Sequence, residues 1–437
     1  MKKTVFGCLG AAAIAFALQF TPANVQAGLF SSCTPCDEVA CFPCDDSAFC
    51  DPCDAACGPR VRAGKWFLEG HFEAGFFANS HGQKSVYDGS AVPTWRSWNP
   101  NSGNTVLLQN ARLTGAQVNQ AYIALGRQVD GRRGLDLGGR MDFTWGSDAY
   151  LVQAEGIERT AADEFGWGSG DYYAAVAQAY AELAYGQWNF KAGKFYTPFG
   201  SNHFASTERF FYTLDQNSIF LPHVAGGAYA TYTVNRNLAV FTGWMMPDEL
   251  GRGTHNNNVL GGFAWEKGRL GLKYAFATGR NSYNDPAADV FLHSLVVTDQ
   301  ITQRLKFVFD WSYLDVNLVG GGGGSIYGLN HELTYQFTNK FALGGRFGVL
   351  NASNGTVAIG EETPSNLVVG LGPAAAGSEW YTVSIGANWT PNDWLLVKPE
   401  VRYDWVKADG SAAPFRVTNG APTVGQFSGG MSAIMKF

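Results

Sequence analysis

The stretch from Trp394 to Trp405, WLLVKPEVRYDW, constrains the fold of this chain more than any other segment. Apolar and aromatic residues alternate in it with an unbroken series of charged ones: Lys398, Glu400, Arg402 and Asp404. Because side chains on a strand point alternately to its two faces, this pattern predicts a strand that separates an apolar medium from water.

The length of this stretch also suits a strand that crosses a bilayer at a tilt. Pro399 is the exception within it, since proline offers no N–H to a neighbouring strand and a closed barrel has no edge where that loss is harmless. We therefore expect a local bulge at Pro399.

The composition favours a membrane barrel over helical domains. The chain of 437 residues has 54 Gly, 18 Tyr, 31 Phe and 13 Trp, with only 16% charged residues, a balance that suits many strands with aromatic girdles. The formal net charge is −6, and no basic run or surplus indicates a nucleic-acid partner.

The first 27 residues have the pattern of a secretory signal peptide. Lys2 and Lys3 precede an apolar run through Leu18, and Val25-Gln26-Ala27 provides a small-residue cleavage site. No later stretch contains the 18 or more apolar residues of a spanning helix, so residence in a membrane would require a β-barrel.

A cysteine-rich extension is predicted over residues 28–63. Between Cys33 and Cys57 this segment has six acidic residues and no Lys or Arg. Its seven cysteines are Cys33, Cys36, Cys41, Cys44, Cys50, Cys53 and Cys57. In an oxidising compartment this spacing favours disulfides within a short module, with one thiol left free or paired with another chain. Zinc binding is the alternative, although the second C-x-x-C pair follows the first too closely for a familiar finger, and a redox dithiol is less favoured.

From residue 64 to 437 the chain reads as a transmembrane antiparallel β-barrel, an all-β fold. We predict sixteen strands, near residues 65–78, 116–128, 135–146, 171–186, 187–196, 226–234, 237–246, 258–266, 269–278, 289–299, 303–315, 326–337, 341–350, 379–389, 394–406 and 425–437.

The connections between these strands alternate in length. Seven short turns, five of them built of turn-forming residues such as Gly186-Gln187 and Lys267-Gly268, interleave with eight long stretches, at 79–115, 147–170, 197–225, 247–257, 279–288, 316–325, 351–378 and 407–424. This pattern predicts short periplasmic turns and long outer loops. The segment TVLLQNARL, residues 105–113, is assigned to the first long loop, and the glycines 320–324 are expected to form a flexible outer loop.

The predicted inward positions carry charges of both signs. Nine are acidic and eight are basic: Glu69, Glu73, Asp136, Asp142, Glu182, Asp310, Glu332, Glu400 and Asp404, with Arg140, Lys191, Lys273, Arg304, Lys306, Arg346, Lys398 and Arg402. Sixteen strands enclose a lumen wide enough for water, and strong ion selectivity would require a ring of one sign. We therefore expect these residues to line a pore of weak selectivity with at most a cation preference.

Two features of the chain resemble known outer-membrane proteins. The terminal Phe437 is similar to the last residue of outer-membrane barrels generally. The segment GKFYTPFG, residues 193–200, leaves the fifth strand and resembles the start of the constriction loop of the general trimeric porins, which implies that His203, Glu208, Arg209 and Asp215 set the field at the narrowest point. The alternative is a surface loop whose charges face solvent.

Most of residues 65–437 resemble the OmpL-like β-barrel porin family. The resemblance depends on Asn119-Gln120-Ala121-Tyr122, Gly139-Arg140-Met141-Asp142-Phe143 with Gly146-Ser147-Asp148-Ala149, GKFYTPFG, His293-Ser294-Leu295-Val296-Val297, and Lys398-Pro399-Glu400-Val401-Arg402-Tyr403-Asp404-Trp405. It implies an outer-membrane channel that passes small solutes, and the cysteine-rich segment is a departure from the family pattern.

The leading hypothesis is thus a bacterial outer-membrane porin for passive diffusion of small hydrophilic solutes or ions, surrounded by lipid, assembled as a homotrimer and without cofactor or bound metal. A narrower version is a channel specific for sugars or anions. The alternative is a membrane anchor, disulfide-linked through its cysteines to an envelope partner. We expect no enzyme, because Ser384 and His293 are isolated in the sequence and His331 is predicted to face lipid.

Overall fold

The computed structural model describes residues 66–81, 115–159, 167–169, 172–247, 250, 256–281, 288–319, 322–353, 379–407, 415–416 and 422–437. The predicted signal peptide, the predicted cysteine-rich extension and the segment 105–113 lie outside these residues. Within them, no helix is long and apolar enough to cross a bilayer.

Sixteen long strands account for most of the described chain. In chain order they are β1 Trp66–Asn79, β2 Gly115–Arg127, β3 Asp136–Gly146, β4 Tyr172–Tyr185, β5 Trp188–Tyr196, β6 Val224–Asn235, β7 Leu238–Pro247, β8 Asn256–Lys267, β9 Leu270–Asn281, β10 Ala288–Asp299, β11 Leu305–Leu318, β12 Gly323–Thr338, β13 Phe341–Ala352, β14 Glu379–Asn392, β15 Leu395–Lys407 and β16 Gly425–Lys436. All sixteen predicted strands are confirmed, with bounds that differ by a few residues.

The strands form a closed antiparallel barrel. Each pairs with the next in the chain, and β16 pairs with β1, from His71 opposite Lys436 to Asn79 opposite Ser428. Phe437 extends this closure, because it exchanges backbone hydrogen bonds of 3.0 Å with Gly70 in both directions. Gly168–Ser169 adds a short pairing to β4, and Phe415–Arg416 pairs with Pro422–Thr423.

The connections alternate between a short-turn end and a long-loop end of the barrel, as predicted. One expected long loop is wrong: β11 continues to Leu318 and β12 begins at Gly323, so the connection shrinks from 316–325 to 319–322. Gly323 and Gly324 belong to a strand because they pair with Asn317 and Val316, and glycines form a ladder even without side chains to pack.

The two faces of each strand differ as the alternation predicts. On β15, Lys398, Glu400, Arg402 and Asp404 point inward with only 0–3% of their surface exposed, whereas Val401 points outward and is 46% exposed. The apolar outer belt therefore faces lipid, and the charged positions face the lumen.

The expected bulge at Pro399 is wrong. Pro399 stands opposite Met431 in an unshifted register with β16. On the β14 side, Gly386 pairs with Glu400 and Trp389 with Val397, which is the same register before and after the proline. The register shifts instead between Trp389 and Asn392, near the turn. The strand thus accepts the missing N–H as a gap in one ladder without inserting a residue.

Candidate functional site

The loop between β5 and β6, residues 197–223, folds into the barrel, and we call it the inward loop. Its two ends are joined where it leaves the wall, since the Thr197 N–H donates to the carbonyl of His223 at 3.1 Å. Most of its residues are buried. Its hydrogen-bond partners on the wall lie on β1, β2, β9 to β13 and β15, so the loop crosses the lumen from one side to the other.

One side of the wall binds the inward loop through charged groups. We call the inward faces of β13 to β16 and β1 the polar arc. Arg346 on β13 forms a buried ion pair of 2.8 Å with Glu400 on β15 and donates to the Thr213 carbonyl at 2.9 Å. The Thr213 N–H and hydroxyl each donate to Glu400 at 2.8 Å. Thr213 is thus the point at which the loop is fastened to the pair.

Two further cations of β15 bind carbonyl groups of the loop. Lys398 donates to the carbonyls of Ser206 and Arg209. Arg402 donates to the Leu214 carbonyl at 2.8 Å and is paired with Asp404 at 2.9 Å. The alternating charges that identify this strand in the sequence therefore bind the inward loop and one another.

Strands β1 and β2 hold the loop through neutral polar groups. Gln120 accepts from the Ser206 N–H at 3.1 Å and donates to the Phe204 carbonyl at 2.9 Å, while the His71 ring lies 3.2 Å from the Ser206 hydroxyl. The Tyr212 hydroxyl donates to Asn119 at 3.0 Å. These contacts place Ser206 and Tyr212 against the wall.

Glycines on the inward faces make room for the loop. A Cβ at Gly344 would lie 2.4 Å from the ring of Phe210, and one at Gly75 would lie 2.3 Å from the Tyr212 hydroxyl. At Gly328 the distance to Asn217 would be 1.9 Å. Larger residues at these positions would push the loop off the wall.

The opposite side of the wall is apolar in its half nearer the long loops. We call the inward faces of β6 to β10 the apolar arc. This arc packs against Phe199, Ile219, Phe220 and Leu221 of the inward loop. Its buried wall residues are Tyr229, Phe241, Met245, Leu260, Ala275, Ala277, Val290 and Leu292.

A second segment, residues 147–159, also folds inward. Glu158 forms a fully buried ion pair of 2.9 Å with Lys194 on β5, and Lys194 donates to the Val152 carbonyl at 2.7 Å. Asp148 pairs with Arg209 of the inward loop at 3.2 Å. The prediction of a plain outer loop at 147–170 is therefore wrong for this part, because buried charges on the wall bind it.

The predicted inward residues separate into two levels. Nearly all side-chain surface is buried at the level of the inward loop, for Glu73, Asp142, Lys273, Asp310, Arg346, Lys398, Glu400, Arg402 and Asp404. Glu182 is also buried, but it stands directly opposite Lys191, nearer the short-turn end. Closer to the short-turn end, more surface is accessible on Glu69, Arg140, Lys191, Lys306 and Glu332. This level forms a charged vestibule below the loop.

Two predicted positions lie at the short-turn rim. Asp136 begins β3 and pairs with Arg127 at 2.8 Å. Arg304 lies in the turn before β11, so its assignment to the wall is wrong. The strand begins at Leu305, two residues later than predicted, because Thr302 closes that turn, accepting hydrogen bonds from the N–H groups of Arg304 and Leu305.

The four residues predicted for the constriction loop all lie inside the barrel. Asp215 accepts from the Ser218 N–H at 3.0 Å and from Asn330 at 3.0 Å. His203 lies 3.1 Å from Glu208. Burial raises the pKa of Glu208, but the hydrogen bond and charge of His203 outweigh burial and leave this pKa below its ordinary value. Burial, aided by the charge of Arg209, lowers the pKa of His223 to about 4.

The residues considered for hydrolysis lie on opposite faces of the wall. The Ser384 hydroxyl faces the lumen, where it accepts from Arg346 at 3.3 Å. His293 and His331 face outward among aromatic rings. The ring centroids of His293 and Trp311 are 4.8 Å apart, and those of His331 and Phe309 are 5.1 Å apart. A nucleophile and base therefore do not meet here.

A family model described as "Putative beta-barrel porin-2, OmpL-like" matches residues 90–437. No curated protein matches the chain.

Several solved structures are similar in fold. The anion-selective porin from Comamonas acidovorans is 10% identical with a TM-score of 0.54, covering 86% of this chain and 100% of that chain. The outer membrane channel DcaP of Acinetobacter baumannii is 12% identical with a TM-score of 0.53, covering 86% and 99%. Outer-membrane expressed OmpT of Vibrio cholerae is 10% identical with a TM-score of 0.50, covering 87% and 99%. At these identities the likeness is one of fold.

Proposed function

Because this chain belongs to the OmpL-like β-barrel porin-2 family, we propose that its lumen carries small hydrophilic solutes and ions passively across the bacterial outer membrane in which it resides. The observation that carries this proposal is the charged lumen of the closed sixteen-strand barrel. No chemical step is required: the solute follows its gradient, and the protein supplies a polar path.

The charge pattern supports weak selectivity. On the polar arc each guanidinium is matched by a carboxylate, as in Arg346 with Glu400 and Arg402 with Asp404. Paired groups neutralise each other and leave no ring of one sign. We therefore favour general diffusion over a channel specific for anions, and sugar specificity would appear as saturable flux.

We assign roles to the pore-lining and constriction residues according to the level of the barrel at which each lies. Glu69, Arg140, Lys191, Lys306 and Glu332 of the vestibule would meet a solute entering from the short-turn end. At the crossing level, Glu73 lies 3.9 Å from Arg209, and neither carboxylate oxygen of Glu73 has a hydrogen-bond partner among the described residues. Both side chains are buried, so this pair would act on a passing solute through its charge and not by direct contact.

Single-channel recording in a planar bilayer tests this function. We expect discrete conductance steps in concentrated KCl and a reversal potential in a salt gradient that indicates at most a modest cation preference. A folded, heat-modifiable barrel that never conducts would show that the protein is not a channel. A strong anion preference would show that the prediction of weak selectivity is wrong.

Three assignments of the sequence remain our proposals: residues 1–27 as a signal peptide, 28–63 as a disulfide-bonded periplasmic extension, and the absence of an enzymatic role. The anchor alternative gains no support, because the family match begins at residue 90, beyond the cysteines. Assembly as a homotrimer is supported only by small outward residues on neighbouring strands that would let barrels approach closely: Ala179, Ala181, Ala192, Ala228 and Ala230.

A further inference from the structure

A cluster of oxygen atoms lies where the inward loop meets β11 and β12. Asn330 donates from one amide nitrogen to Asp215 at 3.0 Å and to Glu332 at 3.3 Å. Asp310 stands directly opposite Asn330 on the neighbouring strand. Three carboxylates thus surround one amide, and we call these four residues the carboxylate cluster.

The cations near the cluster are Lys273, Arg346 and Lys306, and the first two are bound to other groups. Lys273 donates to the carbonyl of Gly200 at 2.8 Å. Arg346 is held by Thr213 and Glu400. Lys306 pairs in register with Thr334, nearer the short-turn end than Glu332. Arg346 also stands directly opposite Glu332. With Glu400 counted, four carboxylates then face the three cations Lys273, Arg346 and Lys306, which leaves one negative charge in excess.

Amide oxygens beside the carboxylates add acceptors without donors. Asn330 Oδ1, Gln216 Oε1 and Asn217 Oδ1 have no hydrogen-bond partner among the described residues, nor do the amide nitrogens of Gln216 and Asn217, and all three side chains are at most 1% exposed. Gln216 and Asn217 pack over Gly348 and Gly328, the inward glycines beside Asn330. A buried acceptor without a donor is costly, so an arrangement with several of them favours a bound donor or cation.

We propose that the carboxylate cluster, with the amide oxygens of Gln216 and Asn217, binds a small monovalent cation of the alkali or ammonium class. Hard cations take oxygen ligands, and amides and water complete their shell. Within the described residues no three acidic, His or Cys side chains are placed to hold a metal ion by themselves, which is why the amide oxygens are part of the site. Glu332 borders the vestibule and gives the cation its entrance.

This inference rests on the proposed channel, so its first test is independent of conduction. Thermal unfolding of the folded protein in detergent is measured in KCl, in methylammonium chloride and in N-methylglucamine chloride at equal ionic strength. We expect a saturable rise of the melting temperature in KCl or methylammonium and none with the bulky cation, since binding to the folded state alone raises its stability. Comparing KCl with methylammonium distinguishes an alkali ion from an ammonium group.

The variant Asp215→Asn removes one charge and keeps a side chain that can cap the following turn. We expect its half-saturating cation concentration to rise about tenfold, which corresponds to about 1.4 kcal/mol of binding free energy. The matched control Asp289→Asn lies in an exposed pair with Arg280 outside the lumen and should behave as the unaltered protein.

Conductance against KCl concentration completes the test. The site predicts saturation that Asp215→Asn shifts to higher concentration and Asp289→Asn does not. If the unaltered protein never conducts but is stabilised selectively by K⁺, the channel fails and the cation site stands. If it conducts and neither melting temperature nor saturation depends on the cation or on Asp215, the cation site is wrong and the channel stands.

Discussion

On the polar arc the inward loop is held by guanidinium and ammonium groups that donate to its carbonyls, whereas on the apolar arc it is held mostly by apolar side chains, together with hydrogen bonds of Gly200 to Lys273 and Ser294. Lys398 and Arg402 each reach specific backbone atoms, while Phe220 and Leu221 pack among Leu260, Val290 and their neighbours. Hydrogen bonds are directional and apolar contacts are not. The polar arc therefore determines where the loop lies, and the apolar arc mainly excludes water behind it.

Removing a cation of the polar arc should have the largest effect. In Arg346→Met, Glu400 stays buried without its ion partner, which costs about 3–5 kcal/mol. We expect a lower free energy of unfolding in a denaturant titration, together with larger, noisier conductance steps and a stronger cation preference.

The control for this substitution is Arg280→Met. Arg280 pairs with Asp289 at the outer rim, where both side chains are more than half exposed, so solvent screens the pair and its loss should matter little. An Arg346→Met protein with unchanged stability and conductance would show that the ion pair does not hold the loop.

A truncation in the apolar arc should cost somewhat less and leave selectivity unchanged. Leu260 is completely buried, so Leu260→Ala loses its packing and leaves a cavity, at about 3 kcal/mol. Because no charge changes, the reversal potential should equal that of the unaltered protein. Val259→Ala is the control, since Val259 is the next residue but faces outward with 55% exposure. A shifted reversal potential in Leu260→Ala would show that the apolar arc, like the polar arc, affects ion selectivity.

Adding one methyl group beneath the loop should have a smaller effect. In Gly328→Ala the new Cβ would lie 1.9 Å from Asn217 Oδ1, so Asn217 must move, at about 1–2 kcal/mol. Gly345→Ala is the matched control, because on the neighbouring strand nothing lies within 4 Å of the added atom. Equal melting temperatures for the two variants would mean that the loop does not press on this wall.

The strands were predictable because their signal is local. Alternation over about ten residues identifies each strand, and short turns such as Lys267-Gly268 identify the short-turn end. The errors at Pro399 and at residues 316–325 have one cause: both sites contain residues that usually interrupt strands, and pairing with neighbouring strands kept them in the ladder.

The path of the two inward segments was not predictable in the same way. Thr213 binds Arg346 and Glu400, which are 133 and 187 residues away, and nothing local in the sequence reports such contacts. One signal was present, however. Glycines occupy inward positions such as Gly328, Gly344 and Gly386, where a lumen filled only by water would not require them. Their periodic placement on one face indicates a wall that another segment approaches closely.

The smallest expected effect is a pH dependence confined to the polar side of the loop. The pKa of Glu208 in the folded protein is below its ordinary value of 4.5, because the hydrogen bond from His203 outweighs burial. A depressed carboxyl pKa adds stability above the unfolded value, and this stability is lost as the pH falls from about 4.5 through the lower folded pKa. Glu208→Gln should therefore melt below the unaltered protein at pH 7, with the difference closing in that acidic range.

The deficit of Leu260→Ala should stay constant over the same range, because no titrating group is involved. A deficit of Glu208→Gln that does not change with pH would show that the His203–Glu208 contact stabilises by packing alone, and the two sides of the loop would then differ in geometry but not in their response to acid.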